Sequence, residues 1–201
     1  MPEYNHIKFE TCQQVYVPAE DTFLLADNLL VHEGDLVLEI GTGTGIIGLN
    51  ASKTALKVIA TDINPYAIKC AIANKKLNNV KNMEIRNGNL FNPVLNEKFD
   101  LVLFNTPYLP SEKDEIVDDH LDAAWNGGIN GREVIDPFLD NVKNHLNNKG
   151  TVQLVQSSLS DIEKSCQKLK KMGFNVKITA RERFFFEEVV VISGFLNKSI
   201  D

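Results

Sequence analysis

The sequence predicts an α/β fold: a mostly parallel seven-stranded sheet with helices on both faces, closed by a C-terminal antiparallel hairpin. Three observations carry that expectation. Short apolar runs alternate with stretches of helical periodicity, the pattern of repeated βαβ units. Gly41, Gly43 and Gly45 follow the first strong apolar run directly, as expected where a buried strand turns sharply into a helix. The last two apolar runs are separated only by a tight connection, which pairs them antiparallel.

The elements follow in order. Pro18 and the acidic Glu20-Asp21 open a helix that carries Phe23, Leu24, Leu25, Leu29 and Leu30 at helical spacing. Leu36–Ile40 is nearly all apolar, as a strand covered on both faces must be. A helix from Ile46 to about Ser52 leads to a second strand, Lys57–Asp62. Asn64 as cap and Pro65 at the first helical position start a helix to about Leu77. Met83–Asn87 is a shorter strand and Phe99–Asn105 a strong one. Residues 106–131 lack periodicity and form a long polar loop, a length that is usually functional inside a compact domain. Arg132–Leu146 reads as a helix closed by Asn147-Asn148-Lys149-Gly150, Thr151–Gln156 as a strand, and Ser160–Met172 as a helix ended by Gly173. Val176–Arg183 and Glu188–Phe195 form the final hairpin.

With 201 residues the chain is expected to be one domain, 1–201, with a substantial core. A hydrophobic content of 43% and a charged content of 24% are ordinary for a globular protein. The net charge of −6 argues against coating DNA, because phosphate binding needs clustered Lys and Arg. Cys12, Cys70 and Cys166 are odd in number and far apart, so buried thiols are expected rather than a disulfide framework, and no metal site is expected. The N-terminus lacks the basic-then-apolar order of a signal peptide, and no apolar run approaches bilayer length. The expected compartment is the cytoplasm.

Ligands of parallel sheets bind beyond the carboxyl ends of the strands. Gly41, Asp62, Asn89 and Asn105 all lie at or just past such ends. The glycine run Glu39-Ile40-Gly41-Thr42-Gly43-Thr44-Gly45 suits close approach of a ligand to backbone, and Asp62, 23 residues after Glu39, can accept ribose hydroxyls. Two ligands fit. Gly43-Thr44-Gly45-Ile46-Ile47-Gly48 matches the GxGxxG of dinucleotide enzymes. Glu39 weighs against that ligand, because a carboxylate repels a pyrophosphate but suits the ammonium and sulfonium of S-adenosylmethionine. At the end of the Phe99–Asn105 strand, Asn105-Thr106-Pro107-Tyr108 can hold a flat amino group. The Asn105 oxygen accepts one N–H, the Thr106 carbonyl the other, and the Tyr108 ring covers the plane.

These segments resemble class I S-adenosylmethionine-dependent methyltransferases, and more narrowly the HemK-type release-factor glutamine methyltransferases of the short archaeal and eukaryotic branch. The resemblance rests on Val15–Phe23, Glu39–Gly43, Thr61–Pro65, Phe104–Tyr108 and Ala123–Glu133. It implies a Rossmann-like class I methyltransferase fold. It also implies cofactor contacts from Thr22, Glu39, Gly41, Gly43, Asp62, Asn89, Leu90 and Asn105. The catalytic group it implies is Asn105, Thr106, Pro107 and Tyr108. Thr106 stands where the family normally has Pro, and Asn89 where it has an acid, so weaker preorganisation is expected rather than lost activity.

The implied reaction methylates the side-chain amide nitrogen of a glutamine, within the Gly-Gly-Gln of a peptide chain release factor. Alternatives are adenine-N6 transfer to nucleic acid, lysine transfer in a protein, and a nucleotide-binding module without catalysis. Duplex DNA is disfavoured by charge, size and the need to flip a base. No histidine falls in a motif, so no general base is evident. Glu112–Asp122 holds six acids against one lysine, a solvated loop or a cover over a basic substrate domain. Arg132 and Glu133 either tether that loop or, more simply, begin the next helix. The resemblance further implies a small zinc-binding activator protein adding a strand to a sheet edge, with Met83–Arg86 as candidate edge. Against it, Glu84 and Arg86 can blunt that edge.

Overall fold

The computed structural model describes residues 1–111, 121 and 124–197. The acidic segment Glu112–Asp122, Leu121 excepted, therefore lies outside the described residues, as does Ala123. A short antiparallel ribbon, β1 (Glu3–Tyr4) and β2 (Ile7–Lys8), precedes the main sheet. The main elements are α1 (Glu20–Asp27), β3 (Leu36–Ile40), α2 (Ile46–Ala51), β4 (Lys57–Asp62), α3 (Pro65–Leu77), β5 (Met83–Asn87) and β6 (Phe99–Asn105). After the long loop come α4 (Ile135–Asn141), β7 (Leu146–Ser157), α5 (Ile162–Lys171), β8 (Phe174–Arg183) and β9 (Glu188–Leu196). The sheet order is β5-β4-β3-β6-β7-β9-β8. Strands β3 to β7 run parallel, and β9 is antiparallel to both of its neighbours. The expected seven-stranded sheet with its closing hairpin is present.

Period-two alternation decides which side chains reach which layer. Leu38, Ile40, Val102 and Phe104 face a core completed by Phe138, Leu139 and Leu169 of α4 and α5. Val37, Val58, Leu101 and Leu103 face the opposite core, with Leu25 of α1 and Ile46 and Leu49 of α2. Glu39 and Asn105 share the parity of Val37 and Leu103, so both point toward α1 and α2. Strand order reverses between β3 and β6, the switch point where such sheets open a crevice.

Several boundaries differ from the sequence reading. The stretch 132–146 is not one helix: α4 starts at Ile135, a 3₁₀ turn covers Val142–His145, and β7 starts at Leu146. Asn147–Gly150 thus belongs to the strand, at an irregularity where register shifts between Phe99 and Leu101. The Asn147 amide donates to Asp100 Oδ1 at 2.8 Å and holds that excursion to β6. Ser158–Ser160 is a separate 3₁₀ turn, and Asp161 caps α5 by accepting from Lys164 N at 3.0 Å.

The thiol expectation is corrected. Cys12 and Cys70 form a disulfide with Cα atoms 6.0 Å apart, and Cys166 is the buried free thiol. Their separation of 58 residues carries no pairing signal. Asn74 of α3 and Asn78 just past its end make the pairing. Asn74 accepts from Glu10 N at 2.8 Å and donates to Glu10 O at 3.0 Å, and Asn78 does the same for Lys8 at 3.0 and 2.7 Å. Each carboxamide thus mimics a strand neighbour and lays residues 8–12 along the helix. Cys12→Ser is expected to lower unfolding free energy by about 2–4 kcal/mol, read in urea melts, through loss of the unfolded-state constraint. Reduction of the wild-type protein should match the variant.

Among the described residues no helix is long and apolar enough to cross a membrane, and no cluster of three metal-ligating side chains is present.

Candidate active site

A cleft of about 300 Å³ opens at the carboxyl ends of β3, β4 and β6. Of the residues expected from sequence, Thr22, Gly41, Gly43, Asp62, Asn89, Leu90, Asn105 and Pro107 line it. Glu39, Thr106 and Tyr108 are not among the residues that line it.

The glycine loop is fixed from below. Gly41 and Gly43 have φ of +67° and +54°, where a β-carbon is strained. Asp62 holds the loop to β4: Oδ2 accepts from Gly43 N at 2.9 Å and Oδ1 from Asn64 N at 2.8 Å. Burial raises its pKa, while the Gly43 and Asn64 N–H groups pull it back. The carboxylate therefore both shapes the loop and fronts the cleft.

Glu39 is only 1% exposed and lies beneath the loop. Its Oε2 accepts from the Thr42 hydroxyl at 2.6 Å, and Oε1 has no partner. Burial pushes its pKa up to about 8, against the lowering effect of Thr42 and the Gly48 backbone. Gly48 leaves room for this carboxyl, since a β-carbon there would sit 2.3 Å from Oε2. The third glycine of the GxGxxG match thus serves close packing of α2 over the β3 acid. Folding therefore retains a proton that the unfolded chain releases near the ordinary glutamate pKa. Stability should fall as pH rises from about 5 to 8, by on the order of 4 kcal/mol for this group. Urea melts at both pH values check it, and Glu39→Gln should remove that part of the slope.

Asn105 is positioned by a residue that the sequence reading treated only as a helix-starting acid. Asp21, buried at the start of α1, accepts the Asn105 Nδ2 on its Oδ2 at 3.0 Å. Asn105 Nδ2 also donates to Thr22 Oγ1 at 3.3 Å. Asp21 Oδ1 takes the Thr22 backbone N–H at 2.7 Å, the Thr22 hydroxyl at 3.2 Å and the Tyr16 hydroxyl at 3.2 Å. An ionised carboxylate only accepts. It therefore turns the amide of Asn105 toward itself and leaves Asn105 Oδ1, which has no partner, as a free acceptor. The signal was available: Asp21 adjoins Thr22 in the Pro18–Phe23 segment.

Thr106 is corrected in one respect. Its hydroxyl donates to Val155 O at 2.7 Å, so the strand end gains a tie to β7 in place of the lost proline restraint. Tyr108 packs between the two cores, and its hydroxyl makes a long 3.5 Å contact with Asp21 Oδ2. Burial, then the Asp21 charge, raises its phenol pKa.

The loop after β6 is anchored, which overturns the simpler reading of Arg132 and Glu133. Leu109 N donates to Trp125 O at 3.0 Å and Gly127 N to Leu109 O at 2.9 Å, placing Ala124 and Asn126 on the cleft. Arg132, almost fully buried, donates to Ser160 O at 2.6 Å, Asp161 O at 2.8 Å and Asp136 Oδ1 at 2.8 Å. Glu133 N donates to Gly127 O at 2.8 Å, and its carboxyl fills the space beside Gly128. Both residues precede α4 and tie the loop down.

Residues 18–186 match the family model described as Methyltransferase small domain. A protein of Methanocaldococcus jannaschii, provisionally named a protein N5-glutamine methyltransferase, is 46% identical over 96% of this chain and 98% of its own. Methyltransferase HEMK2 of Homo sapiens is 35% identical over 96% of this chain and 95% of its own. Among solved structures, the E. cuniculi Mtq2–Trm112 complex, described as responsible for methylating the eRF1 termination factor, gives a TM-score of 0.72. It is 28% identical, covering 92% of this chain and all of the other.

Proposed function

The chain belongs to the methyltransferase small-domain family and, within it, to the HemK-type enzymes, and from that premise we propose that it methylates a glutamine side-chain amide in a peptide chain release factor. The observation that carries the reading is the free acceptor Asn105 Oδ1 at the cleft, oriented by Asp21. S-adenosylmethionine is the donor we assign. Three features fit it: the positive-φ glycine cradle, the Asp62 carboxylate on the cleft, and a cleft without a phosphate-binding cation among its described lining residues. Gly41 and Gly43 would face its methionine part, Asp62 its ribose, and Asn89 and Leu90 its adenine. When bound, it supplies an electrophilic methyl group.

The chain's own residues do the rest. An amide nitrogen is a weak nucleophile because its lone pair is delocalised. Asn105 Oδ1 and the Thr106 carbonyl accept its two N–H bonds, which favours a pyramidal nitrogen and stabilises the positive charge that develops there as the N–CH3 bond forms and the donor's S–CH3 bond breaks; one of the two N–H protons is then lost to water. Tyr108 and Pro107 limit rotation of the acceptor. Positioning of this kind supplies up to ~7–11 kcal/mol. Thr22 and Asp21 hold the carboxamide still while this happens.

A small activator protein, zinc-binding by resemblance, is proposed at the β5 edge. The charges there are neutralised internally: Glu84 bonds Lys57 at 2.7 Å and Arg86 at 2.8 Å, and Arg86 also bonds Glu97. Leu56 and Ile72 remain exposed beside that edge. The cytoplasm, where release factors work, is the compartment we assign. The test incubates the protein with methyl-labelled S-adenosylmethionine, a release factor, its Gly-Gly-Gln glutamine replaced by alanine, and DNA. Label is expected on the intact factor alone. Label retained on the alanine variant, or found on DNA, would overturn the reading.

A further inference from the structure

The end of the β8–β9 hairpin carries three consecutive phenylalanines, Phe184, Phe185 and Phe186. Phe185 is 92% exposed and Phe186 86% exposed, and their rings meet edge to face with centroids 4.6 Å apart. Phe184 N donates to Glu187 O at 2.8 Å, closing the turn. Two large apolar rings presented together to water mark an interaction surface more often than a solvated loop.

Topology decides where that surface lies. β9 runs antiparallel to β7 and β8, so β8 ends at the same edge of the sheet as β6 and β7. Arg183 pairs with Glu188, Ser157 with Val189, and Asn105 with Val155, so the turn projects beyond the edge that carries Asn105. Short contacts join it to the end of β7. The Ser157 hydroxyl donates to Glu187, and Glu188 N donates to Ser158 Oγ at 3.0 Å. After burial and Asp21, the Glu187 charge also helps to hold the Tyr16 and Tyr108 phenols up. The hairpin tip therefore lies at the same end of the sheet as Asn105, with Glu187 in electrostatic reach of Tyr16 and Tyr108 and the two rings preceding it in the chain. Around them the hairpin is charged: Arg181 and Arg183 pair with Glu188 at 3.5 and 2.9 Å. An apolar centre inside a charged rim is the composition of a binding hot spot.

We propose that the Phe185–Phe186 pair is a docking anchor for the folded body of the protein substrate, gripping it beside the loop that carries the acceptor glutamine. The proposal rests on the reading that the acceptor is a protein side chain. A single carboxamide at Asn105 gives little affinity, and a second contact on the same rigid sheet raises the local concentration of the acceptor. A nucleic acid partner is not favoured, since Arg181 and Arg183 are paired with Glu188 and share the hairpin with Glu182 and Glu187, which leaves no net basic cluster.

The test compares wild type with the Phe185→Ser/Phe186→Ser double variant on two substrates: a whole release factor, and a short peptide containing Gly-Gly-Gln. Donor binding is titrated calorimetrically on both proteins. The variant is expected to lose about tenfold or more in kcat/KM on the whole factor, through KM. Its activity on the peptide and its donor affinity should be unchanged, and Phe185→Leu/Phe186→Leu should restore most of the loss. An equal fall on both substrates, or none on the factor, overturns the anchor. So does a wild-type dimer that the double variant dissociates without a change on the factor, which would assign the rings to a second copy of the chain. A wild type that methylates neither substrate defeats the glutamine reading itself, and the anchor with it.

Discussion

Asn105→Ala should lower kcat/KM for glutamine methylation by about 10²–10³-fold, the usual loss when one charge-stabilising hydrogen-bond partner is removed. Its Oδ1 is buried and has no hydrogen-bond partner within the protein, so the group is not needed to satisfy the protein itself. An acceptor without a partner is a cost that a substrate N–H removes, which concentrates its effect in the reacting complex. Asp21 keeps the Tyr16 hydroxyl and the Thr22 N–H when Asn105 is shortened. The variant should therefore fold with a melting temperature close to wild type. Calorimetric titration should show donor affinity changed far less than the rate. Steady-state kinetics on a release factor, with unfolding measured beside it, checks both parts.

The second large effect concerns Asp21. Asp21→Asn preserves size but destroys the one-way hydrogen-bond logic, because an amide offers donors as well as an acceptor. Asn105 is then free to flip, presenting its NH₂ to the substrate NH₂, where two donors face each other. A fall of about 10²-fold in kcat is expected, with KM for the factor little changed. A merely structural role predicts independent losses in a double-mutant cycle. Positioning predicts the opposite: with Asn105 already replaced by alanine, Asp21→Asn should cost little more. Additive losses would remove Asp21 from the mechanism.

Much of this was legible from residue order, for identifiable reasons. Leu36–Ile40 and Phe99–Asn105 are nearly all apolar, short and bounded by turn residues, the pattern of central parallel strands. The glycine cluster and Asp62 lie next to strand ends, where local spacing fixes their place. What was not legible depended on contacts between distant segments. Asp21 and Asn105 are 84 residues apart, and only the packing of α1 across the sheet makes one orient the other. The Cys12–Cys70 bond arises from Asn74 of α3 and Asn78 just past its end imitating a strand, which no cysteine spacing announces. Glu39 reads from sequence as a charged carboxylate beside the glycine turn, suited to the donor's ammonium and sulfonium. Gly48 instead admits it to the interior, where desolvation governs its charge. Asn147–Gly150 has turn composition, yet Asp100 holds it in the strand. Thr106 read as a weakened motif, while its hydroxyl ties to β7.

The central claim is that the Asn105 carboxamide oxygen, its orientation set by the Nδ2 bond to Asp21, takes an N–H of the acceptor glutamine. A crystal structure of the protein with S-adenosylhomocysteine and a Gly-Gly-Gln peptide measures this directly. The glutamine nitrogen is expected within about 3 Å of Asn105 Oδ1, with Asn105 Nδ2 still on Asp21. A peptide amide seated elsewhere in the cleft, or Asn105 rotated so that its own NH₂ faces the glutamine, would contradict it.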